Sequence, residues 1–373
     1  MKSLFWVSAA VVAYVYFGYA AWLFLRARCR PKPVRRAAFT PSVSIVLVVR
    51  NEEKVLERKL QDLLRLDYPR EQMEWVVVSD GSRDGTNEIL RRHAGTGPGQ
   101  IILRPEAGGK AAGLNQAIAA AGGEIVLFTD ARQEIEPQAL RCLMENFADP
   151  DVGCVSGELM LGNPASGEAG KGMGLYWRVE KMIRQLESAS GSVIGATGAI
   201  YAVRREFLVS LPAETILDDV YIPMHVIQKG ARVVFEAGAR AWDLPDQGRE
   251  REFARKVRTL SGNYQLLELA PWLLRKTNPV RFELVSHKLL RLLVPFALAA
   301  SLLTSALIPG PVYRIFFALQ VLFYGSSLLA LGGIKRGPLA RMADVALTFV
   351  ALNTAAVVAL ANFLSGRKVV WLR

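Results

Sequence analysis

Four long stretches without a single charged residue, 3–25, 292–313, 315–334 and 345–366, flank one segment of mixed composition. That arrangement decides most of what the chain can become. Each stretch has about the 20 residues a helix needs to cross a hydrocarbon core. Hydrophobic residues make up 51% of the 373, too many for a soluble enzyme throughout, whereas 41–282 has the composition of a soluble domain. The first stretch reads as an anchor rather than a cleaved signal. Its apolar run is too long, only Lys2 precedes it, and no small-x-small cleavage site follows.

Orientation follows from charge. The first span runs into Arg26, Arg28, Arg30, Lys32, Arg35 and Arg36 with no acid among them, and such clusters stay on the cytoplasmic side. The expected topology puts the N-terminus outside and the soluble domain inside. Lys335, Arg336 and Arg341 fit a second cytoplasmic turn. Arg367, Lys368 and Arg373 at the tail pull against an external end, so one C-terminal segment is a candidate for a re-entrant or interfacial course. Much of the net charge of +12 lies beside the spans, where anionic headgroups attract it, which argues against a nucleic-acid partner. Cys29, Cys142 and Cys154 lack metal or disulfide spacing. With three histidines in all, neither a His-based triad nor a zinc site is evident.

Within the soluble segment strand and helix alternate. Strands are expected at 42–49, 75–78, 101–103 and 125–129, with helices at 55–66, 86–93 and 110–121 between them, joined by short turns. This is the pattern of βαβ units on a parallel sheet covered on both faces. Ligands of such sheets bind at the carboxyl ends of the strands. Asn51-Glu52-Glu53, Asp80 and Asp130 all stand there, which suits a polyhydroxyl or metal-bound ligand. Asp and Asn are also ordinary turn formers. There is no G-x-G-x-x-G after the first strand and no P-loop motif, which excludes the common dinucleotide and NTPase folds. Beyond Asp151 a strand at 152–161, a helix at 175–187, the small-residue loop Gly195-Ala196-Thr197-Gly198-Ala199, the pair Asp218-Asp219 and an arginine-rich helix at 249–269 are legible.

The ordered set Val49-Arg50-Asn51-Glu52-Glu53, Ser79-Asp80-Gly81-Ser82-Arg83-Asp84-Gly85-Thr86, Gly109-Lys110-Ala111-Ala112-Gly113-Leu114-Asn115, Phe128-Thr129-Asp130-Ala131-Arg132, Thr197-Gly198-Ala199 and Leu217-Asp218-Asp219 resembles the family-2 inverting glycosyltransferases, closest to their membrane-anchored exopolysaccharide and glycolipid branch. The resemblance covers about 41–262. It implies an α/β fold: a GT-A, Rossmann-like, mostly parallel sheet in a cytoplasmic domain, plus an α-helical transmembrane region. The implied organisation is an anchor and basic linker at 1–40, the GT-A domain at 41–262, an interfacial amphipathic segment at 263–291 and C-terminal spans at 292–373.

Residue by residue, the resemblance implies Asp219 as the catalytic base beside Asp218; the alternative for this pair is helix capping. Asn51, Glu53, Asp80, Lys110, Asn115, Asp130 and Arg132 are implied to bind the nucleotide-sugar donor, with Asp80 accepting from the nucleobase or ribose. Lys110, opening a helix whose N-terminus favours anions, would reach the diphosphate; otherwise it is a solvated surface lysine. Asn115 lines the pocket or merely packs, and Asp84 caps a helix. Thr197, Gly198, Asp218, Arg255 and Arg258 are implied to face the acceptor or the diphosphate.

Two departures stand out. The family's Asp-x-Asp, whose carboxylates hold Mg²⁺ or Mn²⁺, reads Asp130-Ala131-Arg132 here. Glu134 supplies the missing oxygen, or Asp130 holds the divalent cation with phosphates and water alone, or Arg132 neutralises the leaving group itself. Near the membrane, Arg255-Lys256-Val257-Arg258-Thr259 replaces the Gln-x-x-Arg-Trp of processive synthases, without its tryptophan. The expected activity is sugar transfer from a nucleotide donor, a UDP-sugar, to a glycan or polyprenyl-linked acceptor at the bacterial inner membrane, with the lipid bilayer as the other partner. The alternative is a degenerate nucleotide-sugar-binding subunit of a polysaccharide assembly complex.

Overall fold

A computed structural model describes residues 1–95, 99–162, 175–243, 248–332 and 337–367. The chain forms two compact units. One comprises Leu23–Pro245 and Lys276–Val280; the other comprises Met1–Trp22, Asp246–Arg275 and Arg281–Arg373.

The first unit is built on an eight-stranded sheet. In chain order its elements are β1 (Val43–Val49), α1 (Glu53–Leu64), β2 (Met73–Asp80), α2 (Thr86–His93), β3 (Gly99–Arg104), α3 (Lys110–Ala120), β4 (Ile125–Thr129), β5 (Glu134–Ile135), α4 (Ala139–Asn146), β6 (Val152–Leu161), α5 (Leu175–Ser190), β7 (Ile200–Arg204), α6 (Asp218–Gln228) and β8 (Arg232–Asp243). The strand order is β3-β2-β1-β4-β7-β6-β8-β5. All seven residues of β1 are buried, as a strand covered on both faces requires. On α1, Leu56, Leu60 and Leu63 repeat at helical spacing and close one face against the sheet. On α3, Gly113 allows close approach to β1, where an added Cβ would come 2.6 Å from Val48 Cγ1.

β3, β2, β1 and β4 are mutually parallel. The chain runs out through β2 and β3, then returns to the other side of β1. Residues after β1 and β4 therefore flank the point where strand order reverses, the usual place for a ligand crevice. The sheet stays mostly parallel but is mixed beyond β4, because β7 inserts antiparallel between β4 and β6, and β6 then pairs parallel with β8. A simple continuation of βαβ units does not describe this half.

The basic linker is bound to this unit. Arg26 Nε donates to Ser190 Oγ at 2.9 Å, Arg35 pairs with Asp149 at 3.0 Å, and Arg36 pairs with Glu145 at 2.7 Å and Glu236 at 2.9 Å. Arg232 Nη2 donates to the Lys32 carbonyl at 2.8 Å. Three of the charges expected to face headgroups are thus engaged by protein, while Arg28 and Arg30 stay exposed.

The second unit contains α7 (Arg249–Leu269), α8 (Arg281–Leu307), α9 (Pro311–Leu331) and α10 (Pro338–Leu364), with α8 opening as a short helix and one π turn. Together with the N-terminal helix Lys2–Cys29, the last three make four helices long and apolar enough to cross a membrane. All four begin before their uncharged stretches, and the first also runs past its stretch. Arg281, Glu283, Lys288, Arg291, Arg314, Arg341 and Asp344 fall within helices, so the absence of charge holds for their middles and not for the whole elements. The second and third stretches separate at Ile308-Pro309-Gly310, ahead of the Arg314 at which the sequence divides them. Lys335, Arg336, Lys368 and Arg373 lie outside the described residues. The stretch 263–291 is divided among the end of α7, the turn Pro271–Leu274 and the first turns of α8.

Candidate active site

At the carboxyl edge of the parallel strands, the loops after β1 and β2 clasp each other. Asn51, at φ +50, accepts from Arg83 N on its Oδ1 at 2.9 Å and donates its own N–H to Ser82 Oγ at 3.1 Å. Glu53 Oε2 accepts from Gly85 N at 2.8 Å. Asp84 Oδ1 accepts from Thr86 N at 3.0 Å. Burial works against the Asp84 carboxylate, but the bonds from Thr86 and Glu53 outweigh it and hold its pKa below the ordinary value. Asn51 and Glu53 therefore shape the edge through backbone groups, and Asp84 caps α2 as the sequence suggests.

Asp80 closes β2 and is fully buried. Its Oδ1 accepts from Arg104 Nη1 at 2.7 Å and Gly108 N at 2.9 Å, and its Oδ2 from Gly109 N at 2.9 Å. Gly81 next to it has φ +63, and a Cβ there would come 2.5 Å from Ala107 N. Asp80 is the residue expected to meet a nucleobase or ribose, and here its carboxylate is bonded to protein groups. With no exposed surface, the carboxylate organises 104–109, and through that turn the start of α3.

Four carboxylate and ammonium groups converge beside that start. Lys110 Nζ lies 3.2 Å from Asp130 Oδ1 and 3.2 Å from Asp218 Oδ1. Burial disfavours its ammonium, but Asp130, Asp218 and Asp219 outweigh that and raise its pKa above the ordinary lysine value. Asp219 Oδ2 accepts from Gly198 N at 3.1 Å. A Cβ on Gly198 would stand 3.4 Å from Asp219 Oδ2 and 3.7 Å from Asp130 Oδ2, so glycine leaves a cradle faced by both carboxylates. Asp218 and Asp219 are the first two residues of α6, whose cap position is Leu217 and carries no side-chain capping bond. They occupy a helix N-terminus, where negative charge is stabilised, and Asp219 spends its oxygen on the 197–198 loop.

α1 braces the loop that carries Asp130. Arg58 Nη2 donates to Arg132 O at 3.1 Å, Lys59 Nζ to Thr129 Oγ1 at 3.1 Å and Gln133 O at 2.7 Å, and Ile135 N to Asp62 Oδ2 at 2.8 Å. Lys59 is 1% exposed, and burial lowers its pKa to about 8. Sequence reasoning passed over this brace. Its one signal is a lysine beside Leu60 on the apolar face of an amphipathic helix. Tyr201 was also missed. It is buried, stacks on Phe128 with ring centres 4.7 Å apart, and its hydroxyl has no hydrogen-bond partner among the described residues. Burial first, then Asp218 and Asp219, push its phenol well above the ordinary range.

The other expected site residues are placed as follows. Asn115 Nδ2 donates to Leu211 O at 2.9 Å and its Oδ1 accepts from Leu211 N at 2.8 Å, so it braces two segments. Arg132 is exposed, and Glu134 pairs opposite Trp242 at the far edge of the sheet. Thr197 is buried with its N–H on Ser156 Oγ. Arg255 and Arg258 lie on α7 in the second unit, Arg255 exposed and Arg258 half-buried.

Among the described residues no group of three or more His, Cys, Asp or Glu is arranged to hold a metal ion. The Asp130 side chain is 41% exposed, and its Oδ2 faces the Gly198 cradle. These residues fit a divalent cation through one carboxylate oxygen, with the remaining positions filled by phosphate and water.

A sheet of this order with acidic groups at its switch point is the GT-A architecture. Residues 44–211 match the profile of Glycosyl transferase family 2, and the chain carries a domain of that family. It is 25% identical over 270 residues to the poly-β-1,6-N-acetyl-D-glucosamine synthase of Staphylococcus aureus (strain COL), covering 71% of this chain and 63% of that one. It is 27% identical over 279 residues to the β-monoglucosyldiacylglycerol synthase of Synechocystis, covering 70% and 57%. The alignments thus span about three fifths of these relatives' length. Among solved structures, a mannosyltransferase from Pyrobaculum calidifontis, in complex with GDP-Man and Mn²⁺, superposes with a TM-score of 0.74 at 24% identity, covering 98% and 99% of the two chains.

Proposed function

We propose that this protein is an inverting, membrane-embedded glycosyltransferase that moves a hexosyl unit from a UDP-sugar to a glycan or lipid-linked acceptor. The catalytic unit faces the cytoplasm at the inner face of a bacterial plasma membrane. The observation that carries this reading is the placement of Asp219, anchored on Gly198 N and separated from Asp130 by an open cradle, with Lys110 bridging Asp130 and Asp218.

In the displacement, Asp219 takes the proton of the acceptor hydroxyl. The acceptor oxygen bonds to the anomeric carbon as the bond from that carbon to the β-phosphate oxygen breaks, and the nucleoside diphosphate leaves with the electron pair. Lys110 and the N-terminus of α3 receive the charge on the departing phosphates. Asp130 would hold a divalent cation, which when bound supplies further charge neutralisation there. Asn51, Glu53 and Asp80 fix the loops around the nucleotide. Arg255 and Arg258 are assigned to acceptor or lipid phosphate.

Thr259 stands where processive synthases have their acceptor-side tryptophan, and its hydroxyl turns back to Arg255 O at 3.1 Å. This favours single addition over polymer synthesis. A nucleotide-release screen over several nucleotide sugars, in membranes carrying the full chain, tests the reading. UDP release with one sugar and a lipid extract supports it, and silence with every donor and acceptor favours the non-catalytic subunit.

A further inference from the structure

The Lys110 ammonium is equidistant, at 3.2 Å, from Asp130 Oδ1 and Asp218 Oδ1. The lysine side chain is 19% exposed and Asp218's is 6% exposed. Two carboxylates on different elements, the end of β4 and the first turn of α6, converge on one point, and a residue of a third element fills that point with positive charge. A position between two carboxylate oxygens is also where a free divalent cation would settle, since hard cations seek such oxygens.

We infer that Lys110 is a built-in counter-ion which keeps divalent cations out of the empty site, so that metal enters only together with a nucleoside diphosphate. This rests on the donor-site reading above and adds an order of binding to it. With Lys110 in place, the Asp130–Asp218 pair already has a partner, and Asp130 Oδ2 alone is a weak ligand. A diphosphate changes the balance in two ways. Its oxygens give Lys110 a new anionic partner, and they complete a coordination shell that one carboxylate oxygen cannot. The exposed Arg132, in place of a second aspartate, adds positive charge nearby and acts in the same direction.

The test is Mn²⁺ binding followed by electron paramagnetic resonance on the purified full-length protein, with Mn²⁺ alone and with UDP or GDP added. Wild type is expected to bind Mn²⁺ weakly alone, and at least about tenfold more tightly with the matching nucleotide. In Lys110→Met, Mn²⁺ alone is expected to bind about tenfold more tightly than in wild type, because removing a unit charge beside two carboxylates acts at short range in a partly buried site. Lys110→Arg keeps the charge and should retain weak binding, which controls for general damage to the fold. Asp130→Asn should abolish the gain in Lys110→Met. Unchanged nucleotide-free affinity in Lys110→Met, or tight Mn²⁺ binding by wild type without nucleotide, would overturn the inference. Failure of every nucleotide to bind, with or without Mn²⁺, would instead remove the donor-site reading on which it rests.

Discussion

Arg104 and Asp80 are registered neighbours on β3 and β2, joined by a 2.7 Å ion pair whose carboxylate has no exposed surface. The same carboxylate holds the N–H groups of Gly108 and Gly109. Asp80 thus holds the turn that launches α3, and Arg104 acts with it.

A double-mutant cycle separates this from direct contact with a nucleobase. Asp80→Ala and Arg104→Ala should each weaken nucleotide-diphosphate binding several-fold. The double variant should lose little more than Asp80→Ala alone, because residues of one network are not additive. Full additivity in titrations of the purified protein would show that Asp80 touches the ligand independently of Arg104.

Lys59 gives a pH signature. Burial lowers its folded pKa to about 8 from the ordinary lysine value of 10.5. Between those values the folded protein binds fewer protons than the unfolded chain, so stability rises with pH across that window and is lost again as pH falls through about 8. Lys59→Met has no such titration. The thermal midpoint of wild type relative to Lys59→Met, measured in detergent from pH 7.5 to 10.5, should climb with pH. A flat difference would mean that the ammonium is not desolvated.

The parallel half of the fold was legible because its signals are local. The apolar, β-branched run of β1, the turns at Asp80 and Asp130 and the Gly109 opening of α3 fall where the structure has them. The mixed half was not. β7 and β8 owe their places to pairing with β4 and β6, which lie tens of residues away, and no period within a short strand specifies its partner. The same limit applies to the site. The sequence named Lys110, Asp130, Asp218 and Asp219 separately, but the bridge among them is tertiary. Asp80 and Asn115 stand in motif positions, yet their hydrogen bonds go to the protein itself. Lys59 and Tyr201 lie in no motif, and only burial reveals them.

Tyr201 offers a stability test. A buried hydroxyl without a partner costs about 1–3 kcal/mol, and the Phe128 stacking does not depend on it. Tyr201→Phe should therefore raise thermal stability, by about 1 kcal/mol, with nucleotide affinity unchanged. A clear loss of stability would show that the hydroxyl is bonded in the folded protein.

The central claim is that Asp219 takes the acceptor's proton at a site whose donor half is formed by other residues. Asp219→Asn keeps an oxygen to accept from Gly198 N, so the loop should hold. The decisive measurement is nucleotide affinity and nucleotide release compared in this one variant, with the donor and acceptor on which wild type is active. The account predicts that affinity stays within a few-fold of wild type while release falls by about 100-fold or more, the range expected for loss of a positioned base. Release within a few-fold of wild type, or affinity and release lost together, would contradict it.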